Sequence, residues 1–149
     1  MVARCSSCMI TVAMNYFLAK TEPSTYSIGR LETDQKTIWD GVTNAQAVRT
    51  ILEMQRHDKV FIYHSGGESA VVGLASVAAG GRPDPKNPKS ALADFAFVAR
   101  LDPPVTLAEI KQSHLFDDWA LVRQSRLSTM KAPDSFVAWM RKRFPHAKI

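Results

Sequence analysis

Short runs of apolar and aromatic residues, separated by polar or proline-containing segments, dominate the pattern along the chain. Enrichment in β-branched and aromatic residues predicts strands at residues 16–19, 59–64, 70–79 and 93–101. The run at 71–75 is continuously apolar, which predicts burial on both faces of its strand. The first strand is expected to stop at residues 20–23 and the last at Pro103, because proline has no N–H for the ladder.

Helical segments are predicted between and after these strands. Asn44 suits the N-cap of a helix over residues 45–55. The apolar residues of this helix fall on one face, namely Ala47, Val48, Ile51 and Leu52. A shorter helical or turn segment is expected over residues 28–31.

Two further helices are predicted in the last third of the chain. Thr106 and Glu109 have the spacing of a capping box, which begins a short helix ending near Ser113. Pro133 fits the first turn of a last helix over residues 134–143. The cationic end of that helix complements the helix dipole.

Glycine and proline mark two predicted loops. Residues 39–42 are expected to form a tight loop in which Gly41 is free to adopt a positive φ. Residues 80–90 contain three prolines and are expected to form a longer loop. The unequal loops and inserted helices argue against a doubly wound parallel sheet. They favour an α+β fold with a mostly antiparallel, barrel-like sheet and peripheral helices.

Composition fits one ordinary intracellular domain. The chain has 149 residues, a typical domain length. No apolar run approaches the roughly 20 residues that cross a bilayer, so we expect a soluble, cytoplasmic protein that does not enter membranes. The formal net charge of +5 favours a polyanionic partner, and a merely solvated basic surface is the alternative.

Two cysteines, Cys5 and Cys8, form a C-x-x-C motif near the N-terminus. A metal or redox site would need a second ligand pair or a following βαβ unit, and the sequence shows neither. We therefore expect residues 1–13 to be a disordered N-terminal extension, residues 14–149 to be the domain, and no cofactor or metal to be bound.

Six short strings coincide in order and spacing with those of a known family. They are residues 16–23, 26–28, 39–47, 61–65, 72–75 and 121–128, which include the sequences YFLAKTEP, WDGVTNAQA and YHS. Together they resemble the EVE domain over roughly residues 14 to 140. The resemblance implies a PUA-like pseudo-barrel related to YTH and ASCH domains. It also implies a pocket suited to a nucleobase, often a modified one, in DNA or RNA.

The chain departs from that family at one point. The family commonly has an aromatic residue just before the strand predicted at 93–101, where this chain has the residues 89–92, Lys-Ser-Ala-Leu. If that aromatic residue forms a wall of the pocket, stacking on this side is missing.

The resemblance and the residue chemistry together nominate a ligand-binding set. It comprises Lys20, Thr21, Glu22, Trp39, Asp40, Gly41, Val42, Asn44, His64, Ser65, Arg123 and Arg126. Trp39 can stack on a base or serve in the core. Asp40 and Asn44 can read a base edge, and local capping is the alternative for both. We expect Trp39, Asp40, Asn44 and His64 to converge on one concave site.

Charged residues and a histidine complete the set. Lys20 and Glu22 can pair with each other or contact the ligand, and His64 can be a structural residue instead of a ligand contact. Arg123 and Arg126 suit phosphate oxygens, with a solvated basic turn as the alternative.

The sequence therefore favours a non-catalytic nucleic-acid-binding module that recognises a nucleobase, with a basic rim for phosphates. An ASCH-like hydrolase using Lys20 and Glu22 is one alternative, and a protein-interaction domain is another. A hydrolase would need a nucleophile and its base within about 3 Å of each other, and the sequence shows no nucleophile motif.

Overall fold

The computed structural model describes residues 14–149, and the predicted N-terminal extension with Cys5 and Cys8 lies outside the described residues. The strands within this range are β1 (Tyr16–Thr21), β2 (Lys36–Val42), β3 (Lys59–His64), β4 (Ala70–Asp84), β5 (Asn87–Thr106) and β6 (Thr129–Lys131). The helices are α1 (Ile28–Asp34), α2 (Ala45–Leu52), α3 (Leu107–Ser113), α4 (Ala120–Arg123) and α5 (Asp134–Arg143).

The strands form one sheet in the order β2-β5-β4-β3-β1-β6. The β1–β3 pair is parallel, whereas the other neighbours are antiparallel. This confirms the predicted α+β class with a mostly antiparallel sheet. Within residues 14–149 the edge strands β2 and β6 do not pair with each other, so the barrel is open.

The sheet curls so that its two ends approach each other. In a flat sheet β1 and β2 would lie four strand spacings apart, about 19 Å. Instead, Thr21 at the end of β1 lines the same cavity as residues of β2. The rings of Tyr26 and Trp39 also meet there, with centroids 6.2 Å apart. We call this gap between β1 and β2 the seam.

The core fills the inside of the curled sheet. Its largest fully buried side chains include Phe17, Phe61, Phe95 and Phe136. Residues 71–75 of β4 are buried throughout, which confirms burial on both faces of that strand.

The helix starts match the predicted caps. The Asn44 Oδ1 atom accepts hydrogen bonds from the backbone N–H groups of Gln46 and Ala47, so its N-cap role is confirmed. The predicted end of α2 was too late, since α2 ends at Leu52. Leu52 was expected on the apolar face of this helix but is 44% exposed. The helix α5 covers residues 134–143 as expected.

Only one of the two hydrogen bonds of the predicted capping box forms at the start of α3. The Thr106 hydroxyl accepts from the Glu109 N–H at 3.1 Å. The Glu109 carboxylate instead accepts from Arg143 on α5. An ion pair between helices therefore replaces the second capping contact.

The predicted loop at residues 39–42 was wrong. These residues end β2, which pairs with β5 through Trp39 and Val42. The positive φ of Gly41 is confirmed at 77°. The register shifts between the two paired positions, so the glycine forms a bulge in an edge strand.

The predicted loop at residues 80–90 was also wrong. Strands β4 and β5 continue through it as a hairpin whose two-residue turn is Pro85-Lys86. Pro85 lies in the turn, Pro88 lies inside a register shift and Pro83 borders that shift, so few ladder bonds are lost. In the same way, β5 passes Pro103 and Pro104, which lie in a bulge between paired Arg100 and Val105.

No helix among residues 14–149 has both the length and the apolar character needed to span a membrane.

Candidate functional site

A cavity of about 250 Å³ opens at the seam. It is lined by Thr21, Thr25, Tyr26, Thr37, Ile38, Trp39 and Asp40, and we call it the seam pocket. One wall is the end of β1 with the turn that follows it, and the other wall is the edge strand β2. Aromatic, hydroxyl and carboxylate groups therefore face one small open space.

Trp39 forms the buried part of the pocket. Its side chain is 8% exposed and stacks on Phe95 of β5, with ring centroids 5.0 Å apart. Tyr26 approaches Trp39 edge-on. Since Phe95 covers one face of the indole, a ligand can contact only the part of the Trp39 side chain that faces the cavity.

Tyr26 is held in place from several directions. Its hydroxyl donates to Asp34 Oδ2 at 2.9 Å, and its carbonyl accepts from the Thr21 hydroxyl at 2.9 Å. The Arg30 guanidinium lies 5.7 Å from the centre of its ring. Burial raises the pKa of the Tyr26 phenol, so the ring presents a neutral wall to the pocket.

Three nominated residues adjoin Thr21 but do not line the seam pocket, namely Lys20, Glu22 and Ser65. Their side chains form no hydrogen bond or ion pair with one another. Lys20 Nζ donates to the Ser125 carbonyl at 3.0 Å, and burial lowers its pKa. The Glu22 carbonyl accepts from Tyr26 N–H, which closes the turn, while its side chain is exposed. Ser65 N–H donates to the Thr21 carbonyl.

Gly41, Val42 and Asn44 continue from Asp40 toward α2. Gly41 is exposed, and Val42 is buried with its carbonyl accepting from the Ser90 hydroxyl. The side-chain oxygen of Asn44 is occupied by the two amides that it caps. These three residues adjoin the seam pocket in sequence but do not line it.

His64 lies in a different environment. It is 6% exposed, its Nε2 atom bonds the Ile28 N–H at 3.0 Å, and its Nδ1 atom lies 2.7 Å from Glu68 Oε1. The cavity that it lines also contains Arg100 and is separate from the seam pocket. Of the four residues expected to converge, Trp39 and Asp40 share one cavity and His64 lines another.

The two arginines also separate. Arg123 on α4 is held by the carboxylate of Asp118 and the carbonyl of Asp117, each at 3.2 Å. Arg126 is exposed, and its guanidinium has no hydrogen-bond or ion-pair partner within the described range 14–149. Because Arg126 follows Ser125, which binds Lys20, it lies near the β1 end of the seam.

The nominated set omitted four pocket residues, Thr25, Tyr26, Thr37 and Ile38. Tyr26 belongs to one of the strings that carried the family resemblance, so that string was a usable signal. Thr37 and Ile38 were missed because β2 was not predicted before Trp39. Ile38 is 56% exposed, which an edge strand permits.

A larger cleft of about 850 Å³ lies elsewhere, between the start of β1 and the segment around α4. Many of its polar groups are already paired with protein groups. Asp118 pairs with Arg123, Lys131 with Glu53, and the Trp119 indole N–H donates to the Lys131 carbonyl. Despite its size, this cleft contains none of the nominated residues, and we place the candidate site at the seam.

No cluster of three or more His, Cys, Asp or Glu side chains within residues 14–149 is arranged to hold a metal ion. The seam pocket instead offers stacking surface and single hydrogen-bonding groups.

Comparison with protein families matches the EVE domain model to residues 15–143. Thymocyte nuclear protein 1 of Rattus norvegicus is 30% identical, over 67% of this chain and 57% of its own length. The chain thus spans little more than half the length of this curated relative.

Solved structures share the fold across nearly the whole described range. Rpa0253 from Rhodopseudomonas palustris superposes with a TM-score of 0.81 at 31% identity, covering 87% of this chain and 92% of that one. Human THYN1 protein, solved in complex with DNA containing 5-methylcytosine, superposes with a TM-score of 0.76 at 25% identity. That match covers 86% of this chain and 98% of the human chain.

Proposed function

This chain belongs to the EVE domain family, and from that membership we propose that it is a non-catalytic nucleic-acid-binding module that reads a modified nucleobase in DNA or RNA. The observation that carries the proposal is the seam pocket, where an aromatic wall and polar side chains face one small open cavity. The human relative bound to DNA containing 5-methylcytosine supports the same class of ligand.

The pocket chemistry suits a single unstacked base. Tyr26 and the accessible part of Trp39 provide aromatic contact, and stacking of one base on an aromatic side chain contributes about 1–3 kcal/mol. The Asp40 carboxylate can accept from an exocyclic amine such as that of cytosine. Ile38 offers exposed apolar surface for a base methyl group.

Basic residues at the rim of the seam pocket would contact the phosphates of the nucleic acid. Lys20 and Arg126 lie on the β1 side of the seam, close to the Ser125 carbonyl that Lys20 binds. Arg126 is the stronger phosphate candidate, because Arg123 is already held by Asp118. Such contacts position the nucleic acid and carry no base identity.

The hydrolase alternative is less well supported. Lys20 bonds to a backbone carbonyl and not to Glu22, and Glu22 faces solvent. Base recognition by Tyr26, Trp39 and Asp40 requires no nucleophile, so we propose binding without catalysis. A cytoplasmic location stays a prediction.

Asp40→Asn tests the proposal directly. Asp40 is exposed, so the isosteric amide should leave the fold intact while it removes the negative charge and replaces one of the two acceptor oxygens with an NH2 donor. Affinity for a 5-methylcytosine oligonucleotide should fall about 5- to 150-fold, the equivalent of about 1–3 kcal/mol for a base-edge contact. Fluorescence anisotropy with matched modified and plain DNA and RNA probes measures the loss.

Asp134→Asn is the matched control, since it neutralises an exposed carboxylate in the larger cleft that forms no ion pair among residues 14–149. It separates loss of the pocket acceptor from the general effect of added positive charge. Equal affinity of the unmutated protein for modified and plain probes would contradict modified-base recognition. Absence of binding to every probe at low salt would contradict nucleic-acid binding itself.

A further inference from the structure

A rigid hairpin extends from the domain beside the seam pocket. It consists of residues 80–90, where β4 and β5 continue past the body of the sheet, and we call it the arm. Residues 85–89 at its end are all exposed, so burial in the core does not explain their ordered path.

The base of the arm is fixed by contacts with the domain. Gly81 N–H donates to the Met54 carbonyl at 2.9 Å. The Ser90 hydroxyl donates to the Val42 carbonyl, and Arg82 forms an ion pair with Asp94 at 2.9 Å.

The end of the arm is stiffened locally. Asp84 Oδ1 accepts from the Lys86 N–H at 2.8 Å, and Asn87 Oδ1 accepts from the Lys89 N–H at 3.1 Å. Prolines at three arm positions, residues 83, 85 and 88, fix φ and remove backbone freedom. The lysines therefore project from a largely pre-organised backbone.

The arm carries free positive charge. Lys86 and Lys89 are exposed, and neither ammonium group has a hydrogen-bond or ion-pair partner among residues 14–149. The neighbouring charges, Arg82 and Asp94, neutralise each other. With the Asp84 carboxylate counted against Lys86 and Lys89, the arm keeps a net charge of +1. Two unpaired cations on a rigid support suit a polyanion better than a small ligand, because neither lysine lines any of the larger cavities formed by residues 14–149.

The arm begins beside the pocket wall. Val42 pairs with Ala91 and Trp39 pairs with Ala93, so the start of β5 continues directly from the strand that lines the pocket. From Ala91 to Lys86 the chain can reach up to about 17 Å. Measured along the axis of a duplex, that reach corresponds to about five phosphates of one strand.

From this placement we infer that Lys86 and Lys89 bind the phosphate backbone of the nucleic acid whose base occupies the seam pocket. The inference rests on the proposed function and adds a second phosphate surface to it. Lys20 and Arg126 hold the strand on the β1 side of the seam, and the arm holds it on the β2 side.

The test is a salt titration of the double variant Lys86→Gln/Lys89→Gln against duplex DNA carrying one 5-methylcytosine and its unmodified match. Loss of two phosphate contacts should lower the slope of log K against log salt by about 1.8 units. The ratio of affinities at 50 and 200 mM salt should therefore shrink about 12-fold. The preference for modified over plain DNA should be unchanged, since phosphates carry no base identity.

Two companion variants make the result specific. Lys111→Gln neutralises an exposed lysine on α3, at the opposite end of β5, and should leave the slope unchanged. Lys86→Arg/Lys89→Arg keeps the charge and should retain the original slope. Melting temperatures of all variants should match, because neither arm lysine forms a side-chain hydrogen bond or ion pair within the described residues.

Failures of the two proposals differ. A slope for Lys86→Gln/Lys89→Gln equal to that of Lys111→Gln, with normal binding by the unmutated protein, overturns the arm contact alone. Loss of base preference in the double variant would also overturn it, because the lysines would then act on the base. No binding by the unmutated protein overturns the proposed function and the arm contact together.

Discussion

His64 shows how a single side chain can shape the pocket without lining it. The Ile28 amide can only donate, so the Nε2 atom that it bonds must be the acceptor. The ring proton then sits on Nδ1 and points to Glu68. Ile28 begins α1, two residues after Tyr26, so the histidine fixes the point from which the aromatic wall extends.

His64→Ala should remove this anchor and leave a buried amide unsatisfied. The expected loss is about 1–3 kcal/mol in the free energy of unfolding, measured by urea denaturation. His64→Gln can place an acceptor near the Nε2 position and should recover part of that loss. Equal stability of the alanine variant and the unmutated protein, or no recovery with glutamine, would refute the anchoring role.

At the scale of elements, the arm depends on close approach of β4 to α2. A Cβ atom at Gly81 would lie 1.7 Å from the Ile51 carbonyl oxygen, and that backbone cannot move aside cheaply. This contact explains why a glycine stands where the sheet leaves the domain to form the arm. It also ties the position of the arm to the end of the helix capped by Asn44.

Gly81→Ala should therefore destabilise the domain by about 3 kcal/mol or more, the upper range of overpacking. Gly67→Ala is the control, because a Cβ atom there meets nothing within 4 Å. Chemical denaturation of both variants measures the difference. Similar stabilities of the two variants would show that the arm can shift away from α2 without strain.

At the scale of the whole molecule, the seam is bordered by an edge strand of the open barrel. Strand β2 pairs only with β5 among the described strands, whereas β3 and β4 lie at the centre of the sheet. Local opening free energies are lowest at such edges. The proposed site thus lies between a weakly held strand and a turn, where a ligand can close the gap.

Hydrogen exchange should report this closure. Without ligand, amides of β2 should exchange faster than those of β3. A 5-methylcytosine oligonucleotide at 100 times its Kd should slow exchange in β2 and in residues 22–26 by up to about 100-fold, equivalent to about 2.7 kcal/mol. Slower exchange confined to the larger cleft around Trp119 would show that the ligand binds in that cleft and not in the seam pocket.

Local patterns determined much of the fold from the sequence alone. The bounds of β3 and α5 match their predictions, because the apolar run at 59–64 and the proline start at 133 are local signals. The Asn44 cap could also be predicted from local sequence, since a capping side chain bonds only the amides of the next few residues. The family strings also led to Trp39 and Asp40, which share the seam pocket.

The tertiary structure decided what depends on distant partners. Prolines in the arm favoured a loop by local rules, yet β4 and β5 pair across them because the register is irregular there. Tyr26 and Thr37 became pocket residues only when the curl of the sheet brought β1 to β2. His64 bonds the Ile28 amide instead of lining the seam pocket. The sequence could not show this contact, because two residues 36 positions apart leave no periodic pattern.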